Sequence, residues 1–166
     1  MNSFAARSTT ERQPLVVFGV GADLFAVDVH LVERVLQYRE PAAVPNLPDW
    51  AVGVLQYRGQ VVPVLDLRRR FELAETPARA DRKIVVFEGP DGWVAAVVDS
   101  VREVNAVDPA LVAAPPPLFR GLAREYLVGV LQDGDRLVMV LDAARLLSST
   151  ERLELEWATT GLTLGE

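Results

Sequence analysis

The sequence predicts an all-β protein with a few short helices, arranged as two small barrels related by an internal pseudo-twofold repeat. Three observations predict it. Short apolar runs come in pairs around turn residues, the pairs recur in two similar blocks, and stretches with helical spacing are few and brief. At 166 residues, 50% hydrophobic and 24% charged, the chain has the length of one domain and enough apolar surface for a core.

In chain order, Met1 to Gln13 is polar, lies outside the repeat and reads as an N-terminal tail. Leu15–Val20 and Leu24–Val29 are apolar-rich strands flanking Gly21-Ala22-Asp23, a hairpin signature. His30–Gln37 carries Val32 and Val35 three residues apart, the spacing of one helix face, and is expected as a short helix. Val52–Gln56 and Val61–Leu65 turn through Tyr57-Arg58-Gly59-Gln60. Asp66 then stands where an N-cap would, before a helix over Leu67–Phe71. Ile84–Phe87 and Trp93–Val98 form the third hairpin, around Gly89-Pro90-Asp91-Gly92. Leu127–Gln132 and Leu137–Leu141 form the fourth, around Asp133-Gly134-Asp135, and Asp142 caps a last helix over Ala143–Leu147. Each turn holds a Gly or Asp that tolerates positive φ.

Val52–Gln56 (VGVLQ) recurs as Val128–Gln132, and Val64-Leu65-Asp66 recurs as Val140-Leu141-Asp142, both at an offset of 76. Upstream, Val17-Phe18 recurs as Val86-Phe87, and Val32–Val35 is echoed by Val101–Val104, both at an offset of 69. The seven-residue difference coincides with the proline-rich stretch Ala113–Pro117. The expected organisation is a tail over 1–13, a single domain over 14–150 with subdomains of about 15–80 and 81–150, and a tail over 151–166. Each unit holds too few strands to leave an open sheet without exposed edges, so two barrels packed together are expected, with strand exchange between them near the termini.

Composition excludes several functions. With 17 basic against 23 acidic residues the net charge is −6, which argues against a nucleic-acid partner. Cysteine is absent, removing disulfides, thiolate metal sites and cysteine nucleophiles. His30, the only histidine, has no hydroxyl or carboxylate motif in register with it. No glycine-rich phosphate loop or metal-ligand cluster is present, so no catalytic residue, cofactor or metal is expected. Apolar runs such as Trp93–Val98 stop far short of the roughly 20 residues that cross a bilayer, so no direct membrane insertion and a cytoplasmic location are expected.

Taken together, Ala51–Arg68 (AVGVLQYRGQVVPVLDLR) resembles the signature segment of the CheW family of chemotaxis adaptors. The matching features are the proline-containing lead-in Val44-Pro45 and Pro48, the Gly53-Val54 strand, the Arg58-Gly59 hairpin tip, and the return strand Val62-Pro63-Val64-Leu65-Asp66-Leu67-Arg68. Phe25–Val29, Val98–Val101, Tyr126–Val130 and Leu137-Val138 extend the resemblance from about Leu15 to Leu147. Two departures stand out. The glutamate that usually directly precedes the position of Val35 is displaced, giving Glu33-Arg34, and Gln56-Tyr57 precede the hairpin arginine.

The resemblance implies two five-stranded SH3-like barrels and a non-enzymatic adaptor. Its implied partners are the cytoplasmic tips of chemoreceptors (methyl-accepting chemotaxis proteins) and the regulatory domain of a CheA-type histidine kinase, in a signalling array at the membrane. A scaffold of a non-flagellar chemosensory pathway, serving pili, a second messenger or development, is the alternative.

Candidate partner-binding residues are Arg58, Gly53, Val32, Val35, Val98 and Val101. Arg58 stands where the second copy has Gly134, so the turn does not require arginine, and a guanidinium suits interfaces. By resemblance, Val32, Val35, Val98 and Val101 flank an apolar groove that receives the receptor tip. Gly53 and Gly129 occupy matching strand positions where glycine is unfavourable, which points to a close backbone approach or a bulge in both copies, with an interface role added for Gly53 beside Arg58. Arg68-Arg69-Arg70 reads as a solvated helix face that could edge a kinase interface.

Overall fold

The computed structural model describes residues 13–71, 80–89, 92–107, 111–114 and 126–145. The expected tails, apart from Gln13, which opens the first strand, Pro115–Pro117 and the end of the last expected helix lie outside these residues. The strands are β1 (Gln13–Val20), β2 (Asp23–Asp28), β3 (Val32–Gln37), β4 (Ala51–Tyr57), β5 (Gln60–Asp66), β6 (Lys83–Gly89), β7 (Gly92–Val98), β8 (Ser100–Val107), β9 (Leu127–Asp133) and β10 (Arg136–Leu141). One α-helical turn, α1 (Leu67–Arg70), follows β5, and 3-10 turns lie at Val29–Leu31 and Ala143–Arg145.

The strands form two five-stranded sheets, ordered β8-β1-β2-β10-β9 and β3-β6-β7-β5-β4. Pairing is antiparallel except for β2 with β10 and β5 with β7. The two repeats, β1 to β5 and β6 to β10, therefore exchange their first hairpins: β1-β2 sits among β8, β9 and β10, and β6-β7 sits among β3, β4 and β5. The sheets thus cut across a division at about residue 80. The exchange fits a repeat whose copies have equal strand blocks, because either hairpin completes either sheet.

Neither sheet closes into a barrel by a hydrogen-bonded ladder among the described residues. The edge problem is met differently. A crossing segment covers β4 through the bridge Ala42–Val54, and another covers β9 through Ala113–Val130. At both places a glycine makes room: a Cβ on Gly53 would stand 2.3 Å from the Ala42 carbonyl oxygen, and one on Gly129 would stand 2.3 Å from that of Ala113. Bulges at Ala51/Gly53 and Val140/Leu141 fall in the same strand pairs and bend them.

Both faces of each sheet are buried in their central strands. In β6, Val85 and Phe87 enter the cluster between the sheets, whereas Ile84 and Val86 enter the second sheet's own cluster with Leu55, Val62 and Val64. The first sheet's own cluster holds Leu15, Val17, Leu131 and Val138. This is why these strands read as unbroken apolar runs in the sequence. Phe18 of β1 meets Phe87 of β6 across the interface, with centroids 5.9 Å apart.

Two expectations are corrected here. His30–Gln37 is not helical: its first two residues belong to a 3-10 turn and the rest is β3, paired with β6. A bulge between Val32 and Arg34 sets Val32 opposite Phe87 and Val35 opposite Val85, on one face of the sheet, and so imitates helical spacing. The arginine run is not a solvated face either. Arg68 Nη2 bonds Asp99 at 2.8 Å, and Arg70 is buried between the rings of Trp50 and Tyr126, at 4.6 and 4.8 Å, donating to the Tyr126 hydroxyl at 2.5 Å. Only Arg69 stays exposed, beside Asp66. Asp66 caps α1 as its sequence position suggested, accepting from the Arg68 and Arg69 amides at 2.9 and 3.4 Å.

Candidate partner-binding surface

The β4–β5 hairpin closes through Arg58 and Gly59, with φ of 48° and 77°. Two positive values in a two-residue turn are the signature of the type I′ geometry that matches strand twist. At the corresponding place in the β9–β10 hairpin, Gly134 has φ 61°. Arginine thus adopts a conformation that glycine takes freely and that costs other residues about 1–2 kcal/mol. Strain of this kind, at a place where the fold's other copy avoids it, marks a residue kept for its side chain.

That side chain is held from two directions. Arg58 Nη1 lies 3.3 Å from Glu33 Oε2, and the guanidinium carbon lies 5.3 Å from the centre of the Tyr57 ring. The Tyr57 hydroxyl donates to the same Glu33 oxygen at 2.9 Å. Tyr57 is fixed in turn by an edge contact with Trp93, 4.9 Å between centroids. Glu33 is 17% exposed and Arg58 55%, so the carboxylate is sheltered while the guanidinium faces solvent. Glu33 lies on β3 and Arg58 follows β4, the two outer strands of one sheet. Side chains, not a ladder, therefore bring these edges together, aided by Arg39 Nη2 donating to the Gln56 carbonyl at 2.7 Å. Both departures from the family pattern, Glu33-Arg34 and Gln56-Tyr57, meet at this seam.

The valines divide. Val32 on β3 and Val101 on β8 sit at the margin of the inter-sheet cluster, half-buried, opposite Phe87 and Phe18 respectively. They are counterparts in the two repeats. Val35 shares the face of Val32 and is 40% exposed. Val98, at 1% exposure, belongs to the core and offers nothing to a partner. Gly53 is occupied by its contact with Ala42, the same role as Gly129, which leaves it no separate surface. The sequence marks Glu33-Arg34 as a departure from the family pattern, but not Glu33 as the partner of Arg58, and nothing in it singles out Arg39.

The family model described as CheW-like domain matches residues 14–151 of this chain. The chain is 28% identical to the chemotaxis protein CheW of Treponema pallidum, over 87% of this chain and 88% of that protein. It is 32% identical to the protein FrzA of Myxococcus xanthus, over 90% and 94%. Among solved structures, the scaffolding protein TtCheW from Thermoanaerobacter tengcongensis superposes with a TM-score of 0.76 at 24% identity, covering 84% of this chain and 95% of that one. Among the described residues no helix is long and apolar enough to cross a membrane.

Proposed function

We propose that this chain, which belongs to the CheW-like domain family, is a non-enzymatic adaptor that couples the cytoplasmic tips of chemoreceptors to the regulatory domain of a CheA-type histidine kinase. Arg58 carries the reading. It accepts backbone strain that its counterpart Gly134 avoids, is oriented by Glu33 and Tyr57, and presents a guanidinium to solvent at a hairpin tip. A pre-oriented arginine loses less rotamer freedom on binding than a free one, and arginine is enriched among the residues that dominate interfaces.

The second surface is the margin of the inter-sheet core. Val32, Val35 and Val101 offer apolar side chains there, the kind of anchor a helical receptor tip engages. Two separate surfaces are what an adaptor needs to hold two partners at once. Titration of the full chain with a receptor cytoplasmic fragment and with the kinase regulatory domain tests this. Saturable binding of both, without mutual competition, is expected; binding of neither overturns it.

A further inference from the structure

The seam between β3 and β4 is more than the place where Arg58 is held. It is a groove of about 530 Å³ lined by Arg34, Leu36, Gln37, Tyr38, Arg39, Gln56, Tyr57 and Arg58. Three of these are arginines and none is acidic, on a chain whose net charge is −6. Glu33, the nearest sheltered carboxylate, is already engaged by Tyr57 and Arg58. Arg34 is exposed and makes no ion pair among the described residues. Arg39 is anchored by one nitrogen on the Gln56 carbonyl, which leaves the rest of its donor fork for a ligand. Just outside the groove, Arg82 stacks on Tyr38 at 3.9 Å and Lys83 bonds Gln37 at 2.9 Å, adding positive charge to the same edge.

We propose that the seam between β3 and β4 binds an extended acidic segment of a partner protein, its carboxylates engaging Arg34, Arg39 and Arg58. Charge complementarity identifies the occupant: a forked guanidinium fits a carboxylate in paired hydrogen bonds, and three along one groove fit a chain of carboxylates better than a single ion. The groove runs between two edge strands, a setting suited to an extended backbone. This inference rests on the adaptor reading and supplies the chemistry of one partner.

The test uses the full chain with its arginine side-chain Nε–H groups followed by NMR while an oligoglutamate peptide is added. Saturable shifts at Arg34 and Arg39 that vanish in about 0.5 M salt are expected. R34Q/R39Q should weaken binding roughly tenfold or more, while R145Q, on the exposed 3-10 turn, should leave it unchanged. Equal binding by the double variant, or equal shifts from inorganic phosphate at matched charge, overturns the proposal. So does self-association of the chain that the peptide fails to displace. Titration with the two partners separates the two readings. A double variant that binds both with wild-type affinity and salt dependence removes the acidic segment and keeps the adaptor; a wild-type chain that binds neither removes the adaptor itself.

Discussion

Replacing Arg58 separates the demands of the turn from the demands of a partner. At φ 48° any residue but glycine is strained by about 1–2 kcal/mol. Arg58→Gly relieves that strain. It also loses an ion pair to Glu33 worth at most about 1 kcal/mol, because Arg58 is more than half exposed, and adds roughly 0.5–1 kcal/mol of unfolded-chain entropy. The sum lies within about 1 kcal/mol of zero. Arg58→Ala loses the same pair and keeps the strain, so it should be the less stable of the two, by up to about 1 kcal/mol. Both variants remove the guanidinium, and both should lose about 2 kcal/mol of partner binding, roughly 30-fold in affinity. Urea melts of the three proteins beside calorimetric titrations with receptor fragment and kinase domain read both quantities. If the glycine variant is clearly less stable than the alanine variant, the turn is not strained and the inference from Gly134 fails. If both variants bind each partner like the wild type, Arg58 is a solvated turn charge.

Other substitutions probe the rest of the account. Gly53→Ala would press a methyl group against the Ala42 carbonyl and should cost about 2 kcal/mol or more in a urea melt, with Gly129→Ala costing a similar amount if the repeat is structural there. Arg70→Ala leaves the Tyr126 hydroxyl without this donor and empties the space between two rings, so a loss of about 3 kcal/mol is expected, read as a lowered thermal midpoint. Val98→Asp should abolish the cooperative transition, whereas Val35→Asp should melt like the wild type and weaken receptor-fragment binding, which fluorescence anisotropy would register.

The four hairpins were legible because each has a turn residue with the required backbone freedom between two apolar runs. The repeat was legible as matching strings. Which copy's strands would pair was not: identical strings say that two units are alike, not that β1-β2 belongs in the sheet of β8, β9 and β10. β3 and β8 were missed because neither lies in a hairpin of its own, and in β3 the bulge at Glu33 spaced Val32 and Val35 like a helix. Arg70 looked like its neighbours in the run. Only the tertiary meeting of Trp50 and Tyr126, counterparts at the offset of 76, gives it a buried site. Arg58 could be singled out by comparing copies, but its strain and its tie to Glu33 needed the folded chain.

Reconstitution of receptor-controlled kinase activity shows whether this chain couples receptor to kinase. Receptor cytoplasmic fragments on vesicles, the kinase and this chain are combined, and kinase autophosphorylation is followed with and without receptor ligand. Ligand control of the kinase should require the chain, and Arg58→Gly, folded as well as the wild type, should fail to supply it. Ligand control that is equally strong without the chain, or undiminished with Arg58→Gly, would contradict that coupling role.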